Sequence, residues 1–124
     1  MSNPNIVKNF TAGAAIPACT LVKFSAAETV VAATSSTDLI IGVTTDIPAA
    51  AGERCDVILE GIAFVNAGAV SALGARLTSD ASGRVITAAP AVGVNAQVSG
   101  IAFDAALAAG DIIRVLLAPS VMQG

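Results

Sequence analysis

The chain alternates apolar and polar residues in short runs, and the stretch with the clearest alternation occurs twice. Residues 42–59 read GVTTDIPAAAGERCDVIL, and residues 100–117 read GIAFDAALAAGDIIRVLL. When Gly42 is aligned with Gly100, 7 of these 18 positions are identical without any gap. An apolar residue at every second position indicates a strand with one buried face. Each copy ends in such a strand, with Cys55, Val57 and Leu59 in the first and Ile113, Val115 and Leu117 in the second.

Shorter apolar runs between turn residues predict the remaining strands. One hairpin is expected in each half, and the two hairpins match when Leu21 is aligned with Leu77. The repeat therefore covers two halves of the chain, about residues 13–66 and 69–118. The hairpin segments are Leu21–Phe24 with Glu28–Ala33, and Ala75–Ser79 with Arg84–Ala88 around the turn DASG; further strands are Asp38–Val43, Gly61–Val65 and part of Ala91–Gly100.

Short strands separated by glycine turns predict one all-β domain, residues 13–118. We expect a compact β-barrel or a β-sandwich made of two pseudo-symmetric halves related by an approximate two-fold axis. Each half alone has too little apolar area for a stable core, which favours one merged core. Val70–Ala75 and Ala102–Ala109 are rich in alanine and fit either a turn or two of helix or a loop.

The two ends of the chain are predicted to lie outside this domain. Residues 1–12 are polar, contain Pro4 and are expected to form an extended N-terminal arm, while residues 119–124 form a C-terminal tail. The arm is either a frayed terminus or a segment that orders on a partner, since Ile6, Val7 and Phe10 are apolar enough to dock.

Glycines and acidic residues recur at matched places in the two copies. We expect the first glycine of each copy to provide a left-handed conformation or a close backbone approach, and the second to turn the chain into the next strand. The aspartates suit turns in which the carboxylate bonds the backbone two residues on; a carboxylate pair is the alternative. These structural turn residues are Gly42, Asp46, Gly52, Gly100, Asp104 and Gly110.

Four other charged residues occupy matched positions near these turns. Glu53 and Asp111 begin strands and are expected to be solvated. Asp56 and Arg114 are expected to point outward at equivalent positions with opposite charge. They are predicted either to pair with each other across the pseudo-two-fold axis or to contact a neighbouring molecule.

The composition argues against most kinds of chemistry. The net charge is −3 and only 12% of residues are charged, so no basic face for nucleic acid is expected. The chain has no histidine, which excludes Ser-His-Asp and Cys-His catalysis. The carboxylates lack the dense spacing of a metal site. We therefore predict no catalytic, cofactor or metal residues and no enzymatic activity.

The two cysteines and the apolar runs bear on where the chain is made. Cys19 and Cys55 are predicted to be small buried hydrophobes, with a disulfide as the alternative. The sequence shows no signal-peptide pattern and no apolar run near the ~20 residues of a membrane span. We expect a soluble protein, made in a reducing cytoplasm, that does not engage membranes.

Three phrases make the chain resemble bacteriophage head decoration proteins, also called capsid cement proteins. The resemblance covers about Gly13 to Leu117, and its motifs are structural ones of glycine, alanine and alternating apolar residues. The phrases are LIIGVTTDIPAAAGERCDVILEGIAF, LTSDASGRVITAA and SGIAFDAALAAGDIIRVLL.

The resemblance implies a β-rich structural protein of the virion, bound to the outer surface of an icosahedral phage head and made in the host cytoplasm. Such proteins are typically homotrimers that clamp adjacent major capsid subunits after the shell expands. The arm supplies the candidate capsid contacts, Asn5, Ile6, Val7, Lys8 and Phe10. The alternatives are a tail or spike domain of a phage, or a small ligand-binding β-barrel.

Overall fold

Strands form all the regular structure of the residues described by the computed structural model, which are 6–90 and 92–123. This confirms the all-β prediction. Within these ranges no helix has the length and hydropathy of a membrane-crossing segment. The strands are β1 (Ile6–Ala12), β2 (Leu21–Ala26), β3 (Thr29–Ala32), β4 (Ile40–Thr44), β5 (Arg54–Asn66), β6 (Arg76–Ser79), β7 (Val85–Thr87), β8 (Asn95–Ala102) and β9 (Ile112–Gln123).

The two alanine-rich segments that fitted short helical turns are loops. Their backbones bond to each other instead of forming helical bonds, because Ser71 and Ala106 exchange both N–H···O=C bonds, at 3.1 and 2.9 Å. This isolated antiparallel bridge joins the two loops at one end of the second half. Long-range pairing has therefore replaced the local pairing that alanine favours.

The first half closes into a barrel. Its strands follow the order β1-β3-β2-β4-β5, and β1 also pairs with β5, which completes a ring of five strands. The closing pairs are the parallel Thr11↔Thr29 and the antiparallel Phe10↔Cys55. Because the pairings of the five strands form a closed ring, the alternative of an open sandwich sheet does not hold for this half.

The second half repeats these pairings one by one. Residues 61–66 of β5 take the place of β1 and pair with β9, while β6, β7 and β8 replace β2, β3 and β4. The ring closes through a single parallel bridge, Ala67↔Val85, which corresponds to Ala12↔Val30. Strand β5 thus ends the first half and begins the second, and the halves meet inside β5 instead of between residues 66 and 69.

The first and last described segments belong to the sheet, whereas residues 1–12 and 119–124 were predicted to form an arm and a tail. Strand β1 pairs with β5 from Ile6 to Thr11, and Phe10 and Ala12 are buried. At the other end, β9 continues along β8 to the pair Asn95↔Gln123. Pairing satisfies backbone groups that a separate arm or tail would leave to solvent, which is why these segments lie in the sheet.

The core is shared between the halves. Strand alternation buries Cys55 and Val57 on β5, and Ile113 and Val115 on β9, as the period-two pattern predicts. One buried cluster lies inside the first barrel. The larger cluster joins residues of the first half, such as Leu21, to residues of the second, such as Leu77 and Val115. The two halves therefore form one folding unit.

Candidate functional site

The outward face of β5 runs across both halves and exposes acidic as well as apolar side chains. Its outward residues include Asp56, Glu60 and Phe64, with Ile58 half-buried between the two acids. On the neighbouring strand, Ile6 lies opposite Glu60 and Val7 lies opposite Ile58. Ile6 and Val7 are about half exposed, so these two predicted capsid contacts are accessible.

The other predicted contacts are placed differently. Lys8 forms an ion pair with Glu28 at 3.2 Å, and its Nζ lies 5.1 Å from the centroid of the Phe10 ring. Phe10 is only 3% exposed and packs edge-on against Phe24, with ring centroids 5.6 Å apart. Phe10 is therefore a core residue and cannot be a surface contact as predicted. Asn5 lies outside the described residues.

The repeated glycines serve two purposes. Gly42 lies in β4 and Gly100 in β8, where a Cβ atom would meet the carbonyl oxygens of Ile58 and Leu116, respectively. These two positions therefore allow close backbone approach. Gly52 and Gly110 have φ angles of +85° and +95°, the left-handed region that suits glycine, and each turns the chain into the following strand.

Asp104 does not bond its own loop, as an aspartate turn would require. It accepts hydrogen bonds from the backbone N–H of Arg114 at 2.9 Å and from two guanidinium nitrogens at 3.0 Å each. These side-chain and backbone hydrogen bonds lower the pKa of Asp104 to about 2. Asp46, at the matched position, forms no hydrogen bond or ion pair with another residue in the described ranges. Both aspartates lie at bends, as predicted, but neither makes the predicted bond to the backbone two residues on.

Glu53 and Asp111 perform the loop-capping role instead. The Glu53 carboxylate accepts a hydrogen bond from the backbone N–H of Ala50 at 2.7 Å. The Asp111 carboxylate accepts hydrogen bonds from Leu107 and Ala108 at 2.9 and 3.1 Å. Glu53 is exposed and Asp111 partly exposed, so solvent reaches both acids as predicted, but the prediction missed their bonds to the loops. Their recurrence at matched positions, immediately after the second glycine of each copy, was the available signal.

The outer face of the first half is polar and internally bonded. Asn9 donates to Asp56 at 3.0 Å and accepts from the Arg54 Nε atom. Arg54 also donates to Thr11 at 2.9 Å. Thr45 flanks Asp56 on the other side, through a backbone bond of 3.3 Å. The predicted pairing of Asp56 with Arg114 is wrong, because each is bonded within its own half.

The matched face of the second half is apolar. Phe64 lies opposite Arg114, and Phe103 donates its backbone N–H to the carbonyl of Arg114 at 2.8 Å, so the two phenylalanines flank the arginine. Phe64 and Ile112 are 59% and 57% exposed, and Phe103 is 37% exposed. Sequence analysis missed this cluster. Its signal was the tetrapeptide GIAF, which occurs at residues 61–64 and 100–103.

A cleft of about 200 Å³ lies where these two faces meet. It is lined by Cys19, Thr44, Thr45, Asp46, Ile58 and Phe64. Burial, with a smaller contribution from the charge of Asp46, raises the pKa of the Cys19 thiol. Because the thiolate is the nucleophilic form, this cleft is poorly suited to cysteine chemistry.

The remaining groups that could do chemistry are equally unsuited to it. Cys55 is also a buried free thiol, and burial raises its pKa. The prediction that both cysteines are buried small residues is confirmed. Across the described ranges, no three histidine, cysteine, aspartate or glutamate side chains group so as to hold a metal ion.

Comparison with known proteins gives a family and a fold. A family model described as phage cement protein matches residues 2–117. No curated protein matches the chain. Among solved structures, the chain is similar to the head fiber gp8.5 N base of bacteriophage phi29, with a TM-score of 0.73 and 17% sequence identity. The similarity covers 98% of this chain and 100% of that one, and at this identity it shows a shared fold.

Proposed function

Because the chain belongs to the phage cement protein family, we propose that it binds the outer surface of an icosahedral phage head and stabilises the expanded capsid. It is a phage structural protein associated with the capsid. In the proposed role it clamps adjacent major capsid subunits. The observation that carries this proposal is the family match, which spans residues 2–117. A protein that binds the expanded shell but not its precursor stabilises the expanded state by mass action.

The closed fold limits unwanted association through strand edges, which suits a protein that has to bind the capsid through its side chains. Closing the first half into a ring pairs β1 with β5 along its length and with β3 at Thr11 and Ala12, which shortens the strand edge left open to other chains. The exposed side chains then decide what the protein binds. We infer a non-enzymatic role, supported by the absence of histidine from the sequence and by the raised pKa of both thiols.

We further propose that the protein is a homotrimer at local three-fold positions of the head. A closed oligomer presents the same face several times, so modest contacts with the shell add up. Light scattering on the purified protein measures this directly. A molar mass three times that of the 12.1 kDa chain is expected, and a monomer at working concentrations would contradict the trimer.

The exposed start of β1 is the proposed capsid contact. Ile6 and Val7 are 53% and 48% exposed on the face that continues along β5. The test is co-sedimentation with expanded heads that lack the protein, and with precursor shells as a second substrate. Wild type should bind only the expanded heads. The double variant Ile6→Ser/Val7→Ser should bind more weakly at unchanged thermal stability, whereas Leu39→Ser, another exposed apolar position, should bind as wild type does.

A second candidate function is the base of a head fiber, or another non-enzymatic phage structural module. It is favoured by the similarity to the phi29 head fiber base over nearly the whole of both chains. Electron microscopy of decorated heads separates the two functions. Compact density that bridges capsid subunits supports the clamp, while density that continues outward as a fibre supports the base.

A further inference from the structure

One carboxylate of the repeat has a positively charged partner in the second half but not in the first. Asp46 and Asp104 occupy equivalent positions of the repeat. Asp104 is held by Arg114, whose backbone amide and guanidinium bind it at 2.9 and 3.0 Å. The first-half position equivalent to Arg114 carries Asp56. The first half thus places a second negative charge where the second half places a positive one.

Asp46 is consequently left without a cation. It is exposed, and no hydrogen bond or ion pair joins it to another residue in ranges 6–90 and 92–123. The backbone N–H of Thr45 bonds to the carbonyl of Asp56, which brings the two acidic residues onto neighbouring segments. A cation placed here would meet a carboxylate that has no ion pair within the described residues.

The protein itself has few cations to offer, even from a second copy. Of its six lysines and arginines, four form ion pairs with its own carboxylates. Arg54 is bonded to Asn9 and Thr11, which leaves Arg76 of β6 as the sixth. A second copy could thus offer only Arg76 without breaking an ion pair or hydrogen bond of its own, and we expect the charge that complements Asp46 to come from a different protein.

The cleft beside Asp46 has the shape and lining for one long side chain. At about 200 Å³ it is smaller than the roughly 300–1,000 Å³ of typical small-molecule sites. Ile58 and Phe64 form apolar walls, and Asp46 provides the charge. Lysine and arginine pack their aliphatic stems on apolar surface while the charged head reaches a polar group, and a guanidinium also binds favourably over an aromatic ring.

We propose that this cleft is a socket for one arginine or lysine side chain of the capsid, with its head paired to Asp46 and its stem against Ile58 and Phe64. The proposal rests on the capsid binding proposed above and adds the chemistry that the capsid must present, a basic residue beside apolar surface. The socket is continuous with the proposed contact on β1, because Val7 lies directly opposite Ile58 in the β1–β5 register.

The test is a binding titration on expanded heads that lack the protein. Asp46→Asn keeps the shape of the side chain and removes its charge, and Phe64→Ala removes one wall. Asp46→Asn should bind about tenfold more weakly, as expected for loss of a charge-assisted hydrogen bond, and its affinity should depend less on salt. Phe64→Ala should also bind more weakly. The controls Glu28→Gln and Leu39→Ala alter exposed residues outside the cleft and should bind as wild type does.

The outcomes separate this proposal from the proposed function. If wild type binds the heads and Asp46→Asn binds equally well with the same salt dependence, the socket is overturned and capsid binding stands. If wild type does not bind, the proposed function fails and the socket fails with it. If Asp46→Asn instead lowers the molar mass of the free protein in light scattering, a second copy occupies the cleft, and the capsid socket is overturned.

Discussion

Replacing Gly100 with alanine should destabilise the protein more than the same replacement at Gly110. At Gly100 a new Cβ atom would collide with the carbonyl oxygen of Leu116 and lie 3.0 Å from the carbonyl carbon. Leu116 belongs to β9, which is hydrogen-bonded to the strand that contains Gly100. Since the obstacle is backbone and not a flexible side chain, β8 and β9 must move apart to accept the methyl group.

The expected cost follows from this contrast. Overpacking a close contact costs about 1–3 kcal/mol, and a backbone obstacle places Gly100→Ala near about 3 kcal/mol. At Gly110 nothing lies within 4 Å of the new Cβ, and the cost is the left-handed φ of +95°, about 1 kcal/mol for alanine. At roughly 4 °C per kcal/mol, Tm should fall by about 12 °C at Gly100 and about 4 °C at Gly110.

Thermal and urea unfolding followed by circular dichroism measure both variants. Gly42→Ala provides a repeat of the test, because its Cβ would meet the carbonyl oxygen of Ile58 in the same way. It should behave like Gly100→Ala. Equal losses at Gly100 and Gly110, or a Gly100 variant as stable as wild type, would refute the close-approach argument.

Four further substitutions test the core, the ion pair and the loop caps. Leu77→Ala, at a fully buried position of the shared core, should cost about 3 kcal/mol in urea unfolding. Phe10→Ala should cost about as much, which a surface contact would not. The pKa of the Asp104 carboxyl is lowered from 3.8 to about 2, so its contribution to stability is complete above about pH 4 and is lost as the pH falls toward 2. The difference in Tm between wild type and Asp104→Asn should therefore shrink as the pH is lowered from about 4 to about 2. Asp111→Ala should cost about 1 kcal/mol in thermal unfolding by leaving two loop N–H groups to water, and no loss would contradict its capping role.

Several features of the face along β5 could be read from the sequence, and others could not. Exposure of Ile6 and Val7 follows from their place near a polar terminus. The burial of Phe10 does not follow from the sequence. An apolar residue near a polar terminus gives the same sequence pattern whether its segment binds a partner or pairs within the chain. Whether residues 6–12 form a strand depends on β5, which follows after three intervening strands and provides the edge with which β1 pairs.

The charged residues illustrate the same limit. Asp104 and Asp111 both have partners at matched positions of the repeat, and from the sequence we expected a turn role for Asp104 and solvation for Asp111. The repeat could not assign the roles, because both residues are short acids beside an alanine-rich loop. Arg114 binds Asp104 from the adjacent strand, and the loop amides are then bonded by Asp111.

What the sequence determined by itself is local or periodic: the strand alternation, the glycine turns and the doubling of the module. These follow from the two-residue period of a strand and from backbone geometry, which act over a few residues. The tertiary structure alone decided that β1 closes a barrel, that β5 serves both halves, and that Phe64 and Phe103 flank Arg114. Those outcomes depend on which distant strands pair, and the pairing with the lowest free energy is determined by the whole sheet and its shared core.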